Sequence, residues 1–457
     1  MQLLQMSDTD PQPKSAPPLR EIALRILRRL HAAGHAAFWV GGCVRDQMLG
    51  KEPQDYDIAT SARPPEVEAL FPHTVPVGRQ FGVVVVIEGG HNLQVATFRT
   101  ESDYRDGRRP EHVEFADARA DAVRRDFTVN GLFFDPTTQE LHDWVGGRAD
   151  LTLRVIRAIG DPRERFAEDH LRMLRAVRFA AQLGFTIDPA TLAAVRENAA
   201  TIRTVSAERI RDELLKLLRP PHAARGLQLL RDSDLLAEIL PEIAATEACE
   251  QSPEYHPEGN VFRHILLLLE NLPADAPPSL PWAALLHDVA KPPTATLDPA
   301  TGAIHFYGHE TVGATMSETL LQRLRFPRRQ IDEIVTCVRL HMQFKDVRQM
   351  RKSTLNRLLL RPTFPLELEL HRLDCLASNG DLTNHQYLVT QTAELARKPP
   401  LRPPLITGAE LIAMGLGEGR ELGALLAEIR EKQLLEEITT AEAAREFARQ
   451  RVAERGK

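Results

Sequence analysis

The chain has 457 residues, with 63 Asp and Glu against 57 Lys and Arg, a formal net charge of −6 and 43% hydrophobic residues. That length is too great for one hydrophobic core, so about three or four soluble globular domains are expected, and the acidic balance excludes a global field that attracts nucleic acid. Four scattered cysteines (Cys43, Cys249, Cys337, Cys375) without a CxxC exclude a structural zinc framework and suit a reducing, cytoplasmic compartment, and no apolar run approaches the ~20 residues of a membrane span.

Residues 1–19 lack a signal-peptide apolar core and are rich in Pro and Ser, which predicts disorder. Helical spacing follows over 20–33 and stops at Gly34. An apolar strand at 38–40 runs into Gly41-Gly42, which opens a short helix carrying Arg45, and Asp55-Tyr56-Asp57 comes about ten residues later. Glycines before a helix N-terminus let the backbone approach a polyphosphate closely. Two carboxylates supply the few hard oxygen ligands that Mg²⁺ takes. Residues two apart in a strand share a face, so Asp55 and Asp57 can share one metal while Tyr56 and Ile58 face the other way. This order reads as a metal-dependent nucleotidyl-transfer head.

Strands at 83–87 and 93–98 flank a Glu-Gly-Gly-His turn and predict a hairpin, and 113–115 and 132–134 add further strands. In Arg124-Arg125-Asp126-Phe127-Thr128-Val129-Asn130 the guanidiniums can bind phosphate oxygens and the carboxylate a ribose hydroxyl. A helix-end ion pair is the alternative. After about residue 150 strand signals nearly vanish, and helices are predicted at 163–183, 189–199, 205–218 and 222–235. Asp169, Arg172, Arg175 and Arg178 recur every three residues, a stripe on which a carboxylate beside guanidiniums can read a base edge with protein groups alone. A surface salt-bridge ladder is the alternative. Basic clusters at 105–109, 323–329 and 348–361 are the candidate nucleic-acid contacts, against solvated arginine as the plain reading.

A second chemical region holds Phe262-Arg263-His264, then Leu285-Leu286-His287-Asp288, then His309, His341 and Asp374. Imidazole and carboxylate ligands on separate helices can converge on one or two divalent metals and activate water against a phosphate ester. The apolar run before His287-Asp288 puts that pair at the end of a buried helix; His305 competes with His309, and Asp374 is the loosest placement. A fold kept only for packing or RNA binding is the alternative.

Gly41-Gly42-x-Val44-Arg45-Asp46, Asp55-x-Asp57, Arg124-Arg125-Asp126 and Glu168-Asp169-x-x-Arg172, in this order, resemble the bacterial-type (class II) tRNA nucleotidyltransferase and poly(A) polymerase family. Ser206-Ala207-Glu208-Arg209 through Glu213-Leu214 resembles its next neck motif, and the second region resembles an HD phosphohydrolase domain. The resemblance implies that Asp55 and Asp57 are catalytic and hold Mg²⁺. It implies that Gly41, Gly42 and Arg45 bind the triphosphate, Arg125 and Asp126 phosphate and ribose, and Asp169 and Arg172 the base, with Arg175 and Arg178 alongside. It implies a second divalent metal, of unspecified identity, on His264, His287, Asp288, His309, His341 and Asp374, and a mobile head loop at 100–110. Many polymerases of this superfamily carry a third carboxylate where Gln94 stands here.

The implied fold is α+β and multidomain. A nucleotidyltransferase head with a small mixed sheet spans 20–140, an all-helical neck and body 141–250, an HD helical domain 251–345, and a helical, RNA-binding tail 346–457. The implied activity is template-independent addition of CMP and AMP to the tRNA 3′ end from CTP and ATP, with tRNA as partner, no membrane, and a phosphohydrolase activity at the HD domain. Alternatives are A-only addition, poly(A) synthesis, or a metal phosphohydrolase with a sensor head.

Overall fold

The first helix forms because its apolar residues recur on one face. In α1 (Leu19–Ala32) Ile22, Ala23, Ile26, Leu27 and Leu30 are buried, and Gly34 at φ +85° turns the chain back. This computed structural model describes residues 18–76, 82–105, 109–252, 256–397, 404–417, 419–434 and 437–455. The expected disorder of 1–19 falls, but for its last two residues, outside them. The chain divides into two compact units, Met1–Leu217 with Arg225–Ile239, and Leu218–Ala224 with Leu240–Lys457.

In the first unit the elements after α1 are β1 (Ala37–Val40), α2 (Gly42–Met48), β2 (Asp57–Thr60), α3 (Pro64–Leu70), β3 (Thr74–Val75), β4 (Val83–Glu88) and β5 (His91–Thr97). There follow β6 (Arg99–Arg105), β7 (Arg109–Phe115), α4 (Ala118–Val123), β8 (Leu132–Asp135), β9 (Glu140–Asp143) and α5 (Gly147–Leu153). Seven strands form one mixed sheet in the order β3-β4-β5-β2-β1-β8-β9, in which only β2 and β5 run parallel. Alternation along β1 sends Trp39 to one face, edge-on to Tyr56 at 4.7 Å, and Phe38 and Val40 to the other, with Phe98 and Phe133. The β1–β2 register sets Val40 opposite Asp57. The turn that leaves β1 and the carboxylates that enter β2 therefore meet at one end of the sheet. The segment expected as a mobile loop is a hairpin of β6 and β7; residues 106–108 and the side chains of 101–113, with the basic cluster at 105–109, lie outside the described residues.

Two expectations are corrected. Strand pairing continues past residue 150, as a short parallel pair of β10 (Val155–Ile156) and β11 (Thr186–Ile187). The helix expected over 163–183 is two, α6 (Pro162–Glu168) and α7 (Leu171–Leu183), with Asp169 between them at φ −147° and ψ 103°. The Asp169 carboxylate accepts the Leu171 N–H at 3.1 Å, and its carbonyl accepts from the Arg172 N–H. A short acidic side chain that offers the backbone such a partner breaks a helix and starts the next one. After it come α8 (Pro189–Asn198) and α9 (Ala207–Leu217).

The second unit contains helices Val261–Glu270, Leu280–Leu286, His309–Arg323, Arg328–Leu340 and Phe364–Ala377, which pack on one another. Every residue of Leu280–Leu286 is buried. Helices Gly408–Ala413, Arg420–Leu434 and Ala441–Arg455 share a separate core of Leu411, Leu425, Ile429 and Ala444. The basic cluster at 323–329 is tied up in ion pairs: Arg323 with Glu242, Arg328 with Glu318 and Asp332, Arg329 with Glu333.

A Cβ on Gly147, the first residue of α5, would lie 2.3 Å from the Thr128 carbonyl oxygen. Gly147→Ala should therefore destabilise the protein by about 1–3 kcal/mol and lower its melting temperature by calorimetry. An unchanged melting temperature would refute this tight approach.

Candidate functional site

The end of the sheet where Val40, paired with Asp57, runs into Gly41 opens into a cavity of about 570 Å³. Its wall brings together Gly41, Gly42, Arg45, Asp55, Asp57, Arg125, Asp126, Asp169, Arg172, Arg175 and Arg178. Gly41 has φ +70°, and a Cβ there would meet an Arg125 guanidinium nitrogen at 3.1 Å, so the bare backbone makes room for that arginine. Asp55 lies two residues before β2 and Asp57 is its first residue; both are exposed while Tyr56 and Ile58 are buried. Although Asp57 is open to solvent at the cavity, the protein packed around it desolvates its carboxylate; that first, and then the neighbouring Asp55, push the Asp57 carboxyl above its ordinary range, against the pull of Arg125. Two carboxylates that crowd each other on one wall are a fit for a divalent cation, which relieves their repulsion. Gln94 precedes Val95, the partner of Ile58 across β2 and β5, and is exposed as Asp57 is, but it is not among the residues that line this cavity.

The cations of the wall are held in fixed positions. Arg45 is 8% exposed, donates to Asn130 and Asp46 at 2.8 Å, and lies over the Phe179 ring. Arg125 pairs with Asp121 at 3.1 Å and lies over Phe133. Asp126 accepts from Arg175, from the Asn130 amide and from the Phe127 N–H. Burial opposes its charge, but Arg175 and Asn130 outweigh it and hold its carboxyl at about 2. Arg178 and Arg175 both pair with buried Glu213. The expected Asp169–Arg172 pair does not form, because the helix break removes their i, i+3 relation. Asp169 instead takes a two-pronged pair from Arg209, at 3.1 and 2.7 Å. Arg172 is strapped to Glu168 and to the carbonyls of Arg165 and Arg124. Sequence reasoning left out Arg124, Asn130 and Arg209 as site residues although its motifs contained them. Glu213 stands in the neck motif and Phe179 directly after Arg178, but neither was assigned to the site, and Lys216 and Asp121 gave no local signal.

In the second unit His264, His287, Asp288, His309 and His341 converge, all buried. Three of the imidazoles donate Nδ1–H to a carbonyl three residues earlier: His287 to Ala284 at 2.9 Å, His309 to Phe306 at 2.7 Å, and His341 to Val338 at 2.7 Å. His264 donates Nδ1–H to Glu258 at 2.7 Å. Carbonyl and carboxylate oxygens only accept, so all four rings turn Nε2 inward. The inner nitrogens lie 3.3 Å apart for His264 and His287, and 3.1 Å for His309 and His341. Asp288 joins the two groups, with Oδ2 3.2 Å from His287 and Oδ1 3.4 Å from His309. Asp374 Oδ1 lies 3.1 Å from His264 Nε2, so the remote carboxylate reaches the cluster. His305 is in none of the candidate metal groups among the described residues; it stacks on Tyr307. Glu258, His256 and the Lys291–Asp288 pair are additions that sequence spacing did not give. Two overlapping sets of buried donors around one bridging carboxylate suit one or two divalent cations.

The family model for the poly(A) polymerase head domain matches residues 37–157. That for the probable RNA- and SrmB-binding site of polymerase A matches 184–246, and the HD domain model matches 260–378. The chain is 50% identical over 210 residues to the CCA-adding enzyme of Levilactobacillus brevis, covering 45% of this chain and 52% of that one. It is 46% identical over 232 residues to the CCA-adding enzyme of Geobacillus stearothermophilus, covering 50% and 57%. The chain spans about half the length of the curated relatives it matches. Among solved structures it is similar to the Bacillus stearothermophilus CCA-adding enzyme in complex with CTP, with a TM-score of 0.74, 29% identity, and coverage of 96% of this chain and 100% of that one. It shares a fold with the Thermotoga maritima CCA-adding enzyme complexed with tRNA, at a TM-score of 0.55, 19% identity and 92% coverage of each chain.

Burial opposes a proton on His264, but Asp374 and Glu258 outweigh it and raise its pKa from 6.5 to about 9, while burial lowers His341 to about 4. In the metal-free protein the His264 charge adds stability that is fully present below about pH 6.5 and lost as pH rises through about 9. A divalent cation must displace that proton. Its affinity by calorimetry should therefore rise roughly tenfold per pH unit between pH 7 and 8.5, with proton release in buffers of different ionisation enthalpy. A pH-independent affinity would contradict ligation through His264.

Proposed function

We propose that this chain, which carries a poly(A) polymerase head domain, a polymerase-type RNA-binding region and an HD domain, adds CMP and AMP to the 3′ end of tRNA from CTP and ATP without a nucleic-acid template. The observation that carries this reading is a single cavity in which Asp55 and Asp57 face a wall of arginines. The likeness to CCA-adding enzymes, over about half of the chain by sequence and over nearly the whole chain by fold, supports the same choice.

The RNA 3′-hydroxyl attacks the α-phosphate of the nucleotide, and pyrophosphate leaves. Asp55 and Asp57 would hold a divalent cation, Mg²⁺ in this reading, whose chemistry when bound would be to neutralise charge at the transferring phosphate and make the attacking hydroxyl more acidic. The bare Gly41-Gly42 backbone lets the triphosphate approach, and Arg45 and Arg125 take its oxygens through guanidinium donors already aimed by Asn130, Asp46 and Asp121. Asp126 receives the ribose. Asp169, at the helix break, and Arg172, in the first turn of α7, read the base edge, each held by its own partner, Arg209 or Glu168. A carboxylate acceptor and a guanidinium donor suit the edge of cytosine or adenine. RNA lies along the helical neck and tail, through phosphates and shape. At the HD domain we infer that His264, His287, Asp288, His309, His341 and Asp374 would hold a second divalent cation, which would supply an activated water for hydrolysis of phosphate esters at RNA ends. Both activities belong to a cytoplasmic protein.

The test uses tRNA transcripts ending before CCA, after C and after CC, each with CTP, ATP or both, resolved at single-nucleotide length. Two C and then one A, stopping there, is the expected outcome. A single A on the CC transcript only, or a ladder of A on any RNA, would replace it with A-only addition or poly(A) synthesis. Asp55→Ala should reduce incorporation at least ~100-fold and leave phosphate release from RNA ends unchanged, and Asp288→Ala should do the reverse.

A further inference from the structure

Three guanidiniums of the cavity meet at one aromatic ring. Phe179, on α7, is 8% exposed and lines the cavity wall. The guanidinium carbon of Arg178 lies 3.9 Å from its ring centroid, and those of Arg45 and Arg175 lie 5.2 Å from it. Phe127 meets the ring edge-on at 5.9 Å and fixes its plane.

The chemistry of the ring differs from that of the carboxylates around it. A carboxylate that holds an arginine takes up its N–H donors. An aromatic face holds a guanidinium through its quadrupole and leaves the donors free at the edge. Arg175 and Arg178 sit within one turn of each other and repel, and Arg45 comes to the same place from α2. Asp126 and Glu213 neutralise part of that charge, Asp46 takes Nε and Nη2 of Arg45 and Asn130 its Nη1, and Gln182 takes Nη1 of Arg178, so that each of these terminal nitrogens keeps only its second N–H for a ligand. The ring supplies the remaining attraction and occupies none of the donors that an anionic ligand needs.

We propose that Phe179 is a positioning residue for the incoming nucleotide: its π-face sets Arg45, Arg175 and Arg178 as one unit, linking the arginine of the Gly-Gly turn to those of the base-reading helix. This rests on the reading of the cavity as a nucleoside triphosphate site. Arg45 holds phosphate in that reading and Arg178 stands beside the base, so a change in the ring alters binding of both ends together.

The test replaces Phe179 in the full chain with 4-fluoro-, 3,5-difluoro- and 3,4,5-trifluorophenylalanine, which keep its shape and drain its face of negative potential. Dissociation constants for CTP and ATP are measured by calorimetry with Mg²⁺ and no RNA. They should rise stepwise with fluorination, roughly tenfold for the trifluoro ring, at unchanged melting temperature. The steps should shrink in an Arg178→Gln background, because the coupled partner is gone. Affinities that stay flat across the series, with weak binding only in Phe179→Leu, would mean that the ring merely fills space and would overturn the proposal. Wild-type protein that binds neither nucleotide would instead refute the cavity as a nucleotide site.

Discussion

The antiparallel pairing of β1 with β2, which sets Val40 opposite Asp57, is the constraint on which the first site depends. A strand that leaves through Gly41 and a strand that enters through Asp55 and Asp57 are thereby joined by main-chain hydrogen bonds at one edge of the cavity. A slip of one residue would send Asp57 into the face that Tyr56 and Ile58 fill. The aromatic side chains of β1 resist that slip, because Trp39 and Phe38 are committed to opposite faces. Hydrophobic alternation thus fixes the geometry of charged groups that it never touches.

Around that edge the protein concentrates positive charge in a chain whose net charge is negative. It does so with short-range partners: Asp121 for Arg125, Glu168 for Arg172, Glu213 for Arg178, and Asp126 for Arg175. Partly buried ion pairs of this kind cost desolvation and fix direction rather than add much stability. Their value lies in aiming guanidinium donors at one volume before a ligand arrives. The arginines at 323–329, by contrast, pair on the surface within their own unit and present no comparable concentration.

The head site was legible in the sequence where its parts are local. Gly41, Arg45, Asp55 and Asp57 lie within a strand–helix–strand stretch whose order carries its own geometry, and periodicity gave the hairpin and α1. The Asp169–Arg172 pair was misjudged because spacing assumes a continuous helix, and an aspartate that caps the backbone ends one. Arg209 meets Asp169 across 40 residues, and Phe179 collects arginines from two elements; neither relation has a period. The candidate ligands of the HD region were readable as residue types, and the helix end at His287 was expected from the apolar run before it. Glu258 was not, since it sits in a loop with no pattern pointing to His264.

The four inward-facing imidazoles are not equally secure. Three owe their orientation to main-chain carbonyls of their own segments, at Ala284, Phe306 and Val338. No substitution at those positions short of distorting the backbone removes the acceptor. The fourth, His264, leans on one side chain, Glu258. For this candidate metal centre, loss by genetic drift therefore has a short route: one carboxylate can change while every candidate ligand and every helix stays in place. A descendant with an intact HD signature in its sequence could already have a silent site, and the residue six positions before the first histidine is where that history would be written.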